Sequence, residues 1–240
     1  MLVYDKKHFS MGLILSVIFF SVLGYMFSPS FKGAHGEKVN AFHASDNLFN
    51  SIAKGSTNYF PRLKEGNNAY KGHTIDVTLH LGTEDLAAKS ALILNQAGML
   101  AQNQGASVVV KGDLHTAIHQ AIEDAENMFN NKDDLVEAQY GMSGKEALFV
   151  WWKTFTTMDV ELKHAKDFKA AKFVSEVIKR GIEVGYNFFG VVPQSSTSKA
   201  GMLVFSLTFY VIYTLLWGFA IFYLFEGIGL QMSSGNKKEM

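Results

Sequence analysis

Two long apolar stretches dominate the pattern of hydrophobic and polar positions. Positions 9–27 carry no charge, with Leu13, Ile14, Leu15, Val17, Ile18, Phe19 and Phe20 at their centre. Positions 200–225 are likewise uncharged, from Met202, Leu203 and Val204 to Leu224 and Phe225. A helix needs about 20 apolar residues to cross the ~30 Å hydrocarbon core. Lipid offers no water to the backbone, so a lone spanning segment must be helical. The pattern predicts transmembrane helices over 9–27 and 200–225, the second with interfacial aromatics at Tyr210, Tyr213, Trp217 and Tyr223. Lys6 and Lys7 before the first run also fit a secretory signal. The run exceeds the usual 7–15-residue signal core, however, and no small-x-small cleavage site precedes Ser28 and Pro29. It is read as an uncleaved anchor.

Short flanks set the expected orientation. The tail 1–8 holds Lys6 and Lys7, and the tail 226–240 holds Lys237 and Lys238. The positive-inside tendency places both tails in the cytoplasm. The segment 28–199 is then expected on the outer, periplasmic face of a cytoplasmic membrane. Long translocated segments largely ignore the charge rule, so their lysines are no obstacle.

Within 28–199 the period changes repeatedly. Positions 31–44 show no period and read as an irregular lead-in, followed by a short helix from Ser45 or Asp46 to Gly55. Ile75, Val77, Leu79 and Leu81 alternate with Thr74, Asp76, Thr78 and His80, which predicts a strand. Thr83 can cap a helix reaching Gly98; Val108, Val109 and Val110 suggest a second strand, and Asp113 can cap another helix to about Asn130. This β-α-β-α block occupies 74–131. Ser143 and Glu146 have capping-box spacing, ahead of a seam at Leu148, Trp151, Phe155, Met158 and Leu162. Asp167 can cap a returning helix with a seam at Ala171, Val174, Ile178, Gly181, Gly185 and Phe188. A short connection between matching seams predicts an α-helical hairpin over 143–190. Gly181 and Gly185 either admit close backbone approach or only loosen the helix end. The fold class is an α+β membrane protein, two transmembrane helices flanking an outer-face domain.

Composition sharpens this picture. The 240 residues are 48% hydrophobic and 18% charged, with 22 basic and 22 acidic groups. Zero net charge gives no electrostatic case for nucleic acid. With no cysteine, the chain cannot form disulfides, Cys-ligated zinc, iron–sulfur clusters or c-type haem attachments. Phosphate-cradling, Rossmann, nucleophile-elbow and zinc-protease motifs do not occur, so no catalytic residue is assigned. Neither apolar run has an interior histidine (His8 sits at the edge), so this chain alone cannot bracket a haem within the bilayer.

The candidate metal ligands are His115 and His119, four residues apart on one helix, with His80 on the first strand as a third. Glu123 extends the spacing but lies about 12 Å from His115 at 1.5 Å per residue, too far to share one ion. His35, His43, His73 and His164 are scattered. Seam counting turns Trp151 inward and leaves Trp152, Tyr186 and Phe189 as candidate partner contacts. The preferred reading is a membrane-anchored, non-catalytic accessory subunit of a larger membrane complex, whose partners are other subunits and the lipid bilayer. A respiratory or other electron-transfer assembly is the expected host. The alternatives are an outer-face metal- or haem-binding protein using His115 and His119, and a small-ligand sensor. Tails this short leave such a sensor dependent on a partner for output.

Overall fold

The structure, a computed structural model, describes residues 3–33 and 36–230. His35, Lys237 and Lys238 lie outside the described residues. In chain order the elements begin with α1 (Lys6–Phe27), β1 (Phe31–Lys32), β2 (Lys38–Val39), α2 (Ala41–Ser56) and α3 (Phe60–Asn67). Then come β3 (Thr74–His80), α4 (Glu84–Gln96), β4 (Leu100–Gln104), β5 (Ser107–Asp113) and α5 (Leu114–Phe129). The remainder is helical: α6 (Asp133–Tyr140), α7 (Gly144–His164), α8 (Phe168–Val177), a π-helical turn (Ile178–Ile182), α9 (Glu183–Phe188) and α10 (Ala200–Gly227). The protein is thus α+β, mostly helical with small sheets. Two compact units result, one formed by the chain up to Gly55 together with that from Pro193, the other by Ser56–Val192. The expected outer segment therefore divides, its first and last residues clustering with the apolar helices.

In the first unit, α1 and α10 are long and apolar enough to cross a membrane, and little of either is buried. Asp5 caps α1, accepting from the amides of Lys7 at 2.8 Å and His8 at 3.2 Å. The helices run antiparallel. Gly12 faces Leu224 and Ala220, where a Cβ would stand 2.6 Å from the Leu224 amide. Further along, Phe19 stacks on Tyr213 at 4.4 Å and Trp217 at 4.5 Å, and its carbonyl accepts from the Tyr213 hydroxyl. At the other end the Gly227 carbonyl accepts from the amides of Tyr4 and Asp5, tying the start of α1 to the end of α10. The lead-in is not wholly irregular, since β1 and β2 pair antiparallel through Phe31 and Val39. Two-residue strands are too short to show a period.

In the second unit, the block expected as β-α-β-α is β-α-β-β-α. Its sheet has three antiparallel strands in the order β3-β5-β4. The missed strand, β4, buries only Ala101 and is otherwise exposed and mostly polar, so it lacks the alternation that revealed β3. Asn95 closes its outer edge, its side-chain amide donating to the Ala101 carbonyl and accepting from the Ala101 N–H, each at 2.9 Å. Ile75, Leu79, Val108 and Val110 are buried on the face covered by α4 and α7. The other face carries exposed polar groups, including the cross-strand pair Lys111–Asp76.

The helical hairpin is present. Asp167 caps α8 through the Ala170 amide, and Leu148, Trp151, Phe155, Met158 and Leu162 are all buried. Ser143 caps α7 through the Glu146 amide, but the Glu146 carboxylate turns to Lys89 at 2.9 Å instead of completing the box. Gly185 does admit close backbone approach, but to α5 and not to the hairpin partner α7: a Cβ there would collide with the backbone carbonyl of Ala125, whereas one at Gly181 would meet only side chains.

Candidate functional site

Two of the three candidate partner contacts, Trp152 and Tyr186, line one groove, and Phe189 is not among its lining residues. Lys145, Phe149, Trp152 and Lys153 lie on adjacent turns of α7 and so share one face. Opposite them, the π turn supplies Ile182 and leads directly into Glu183, Tyr186 and Asn187 of α9. π turns within helices recur at functional positions. Between the two walls runs an open, mainly apolar groove of about 280 Å³, floored by Leu148.

Its rings are held in place. The Trp152 indole N–H donates to the Glu183 carboxylate at 3.0 Å, and Phe149 stacks alongside Trp152 with centroids 6.3 Å apart. Phe149 is 46% exposed and Tyr186 is 40% exposed. The Lys145 ammonium sits 5.5 Å from the Tyr186 centroid and 5.8 Å from that of Phe189. Lys153 sits 5.1 Å from the Trp152 centroid and 5.8 Å from that of Phe149. Such cation–π contacts are worth about 0.5–1 kcal/mol at exposed sites. Among the described residues, neither lysine is within salt-bridge distance of a carboxylate. Glu183 is the one carboxylate in the groove lining, and Trp152 occupies it.

The chain matches no known protein family model, no curated protein and no solved structure.

The structure does not assemble the three histidines. His115 and His119 stack with centroids 6.0 Å apart, but His115 is engaged elsewhere. Its Nδ1 lies 3.0 Å from the Asn67 carbonyl, while the Asn67 side chain donates to the His115 carbonyl at 3.0 Å. This reciprocal pair fastens α3 to α5. His80 bonds the Ser107 hydroxyl at 2.8 Å, at one end of β3. Asp113, immediately before α5, pairs with Thr74 at the other end, six residues away and about 20 Å along the strand. Among the described residues, no three metal-ligating side chains come together. Glu123 shares the Lys64 ammonium with Glu126. His73 pairs with Asp167 at 2.6 Å, and His43 takes the Asn40 side chain through its backbone amide.

Sequence reasoning missed a buried acid. Asp124 on α5 is wholly buried and accepts from the Tyr140 hydroxyl at 2.5 Å, Trp151 Nε1 at 2.7 Å and Gln120 Nε2 at 2.8 Å. Burial pushes its carboxyl up, and the three donors oppose that shift without overcoming it. Burial and the neighbouring Asp124 also push the Tyr140 phenol up. The cluster joins α5, α6 and α7 without an opening to solvent at Asp124, so its role is architectural. A signal was present: Asp124 falls three residues after Ala121 and four before Met128, both fully buried.

Proposed function

We propose that this chain is a two-pass, membrane-anchored, non-catalytic subunit that docks a partner on the groove between α7 and α9. The observation carrying the docking role is the gathering of Phe149, Trp152 and Tyr186 around one half-exposed groove, with Phe189 reached through the Lys145 it shares with Tyr186, and with two cations that, among the described residues, lack a carboxylate. Rigid aromatic anchors bordered by charge are what partner surfaces use for most of their binding energy.

Anchoring is supported by α1 and α10, whose outward faces expose Leu13, Ile14, Phe20, Val204, Phe205 and Ile212. A helix in a soluble core would bury such side chains; lipid accounts for them here. The antiparallel pairing puts the start of α1 and the end of α10 on one side, in keeping with the lysine-based expectation for the tails. The second unit then lies on the outer face of a cytoplasmic membrane, in an assembly of which an electron-transfer complex is one natural example.

The test is gentle detergent extraction of the full chain followed by native mass analysis. Phe189→Ala combined with Trp152→Ala should lower the yield of co-purifying subunits while the full chain still melts cooperatively, at a temperature reduced only by the packing these half-buried rings make on the core. An unchanged yield with both rings removed would overturn the docking role.

A further inference from the structure

We infer that the groove takes an amphipathic partner helix bearing two carboxylates about two turns apart, seated against Lys145 and Lys153. The inference rests on the docking reading above and names the chemistry of its occupant.

Charge complementarity carries the argument. Lys145 and Lys153 stand eight residues apart on α7, so their backbones are separated by about 12 Å at 1.5 Å per residue. Phe149 and Trp152 fall between them. The surface therefore reads cation, aromatic, aromatic, cation along one helix face. Each ammonium already rests on rings and, among the described residues, lacks a carboxylate. A carboxylate arriving from outside gains a charge-assisted contact without displacing an existing ion pair.

The shape indicates a helix. The groove lies between two packed helices, α7 and α9, and a third helix places its ridge of apolar side chains in such a furrow. On that helix, acids at positions i and i+7 or i+8 match the lysine spacing, with apolar anchors at i+3 and i+4 between them. A basic partner meets two like charges, and the only lining carboxylate, Glu183, is held by the Trp152 indole 3.0 Å away. That juxtaposition selects against it.

A phage-displayed library of random helical peptides, panned against the full chain in phosphatidylcholine nanodiscs, tests this. Enriched peptides should carry paired acids seven or eight residues apart around aromatic or aliphatic positions. They should bind the Lys145→Glu/Lys153→Glu chain about tenfold more weakly or worse, bind the Lys145→Arg/Lys153→Arg chain nearly as well as wild type, and weaken with salt. Peptides without acids that still require Trp152 and Phe189 would overturn the acidic occupant and leave the docking role standing. No enrichment, or binding indifferent to Trp152→Ala/Phe189→Ala, would overturn both. Co-flotation with phosphatidylserine vesicles that the glutamate pair abolishes, without acidic peptide enrichment, would overturn the helix in favour of an anionic lipid surface.

Discussion

Trp151 donates its indole N–H to the carboxylate of Asp124 at 2.7 Å, deep in a core where Tyr140 and Gln120 donate to the same acid. Among the described residues no cation pairs with it, and burial outweighs the three donors, raising its carboxyl above the usual range. A raised acid favours the protonated fold. Its contribution to stability is full below the unfolded value of about 3.9, and it is lost as pH rises through the higher folded value. Asp124→Asn cannot titrate, so the stability gap between wild type and this variant should move against wild type as pH climbs from about 4. Urea midpoints measured at several pH values give that gap directly, and a pH-independent gap would refute the raised carboxyl. At neutral pH, Asp124→Ala strands the Tyr140 hydroxyl and Trp151 N–H and should cost about 2–4 kcal/mol.

The next residue, Trp152, shows what a sequence discloses and what it withholds. Turning about 100° per residue places Trp151 in the core and Trp152 in the groove, and counting the apolar seam finds that much without coordinates. The strand at Ile75 to Leu79 and the caps at Thr83, Asp113, Ser143 and Asp167 were equally legible, because local chemistry specifies each. Other elements left weaker traces. β4 buries one side chain, and α3 and α6 span eight residues each, too few for a period to stand out. Trp152, Tyr186 and Phe189 were found singly, but their meeting with Lys145 and Lys153 depends on how α9 returns beside α7. The π turn that introduces α9 has no sequence signature, and neither does the choice of Tyr140 and Trp151 as partners of Asp124.

The seam itself can be tested by contrast. Phe155 is fully buried and packs edge-on against Trp151 at 5.3 Å, whereas Thr156 is exposed and bonds only the Trp152 carbonyl. Phe155→Ala should destabilise the second unit by about 3–5 kcal/mol; Thr156→Ala should change it by less than about 0.5 kcal/mol. Denaturant unfolding of both variants decides, and equal effects would place the seam wrongly.

Two glycines four residues apart should also behave differently. At Gly185 a new methyl group meets the backbone carbonyl of Ala125, while at Gly181 it first meets a side-chain atom, the Cδ1 of the buried Leu63 at 3.2 Å. Gly185→Ala forces α5 and α9 apart and should cost about 1–3 kcal/mol. Because Tyr186 is its neighbour, the same change should weaken partner docking. Gly181→Ala should be near neutral, the gain of roughly 1 kcal/mol in helix propensity offsetting a small shift of Leu63. Melting temperatures of the pair would expose any reversal of that order.

Membrane topology gives the cleanest contrast, because a chain without cysteine has no background in thiol labelling. Tyr4, Ser30 and Ser196 are all exposed in the protein itself, so any difference among them must come from the membrane. If α1 and α10 cross with both ends inside, Ser30→Cys and Ser196→Cys should react with an impermeant maleimide on intact cells. Tyr4→Cys should react only after permeabilisation. Tyr4 is a stringent choice: it is 83% exposed, and its backbone amide donates to Gly227 at the end of α10, so its accessibility reports the side reached by both helices. Reaction of Tyr4→Cys in intact cells would invert the chain and move the groove to the cytoplasm. Loss of the first residues, with the mature chain starting beyond Phe27, would make α1 a signal and leave Gly12's close packing on Leu224 without a purpose.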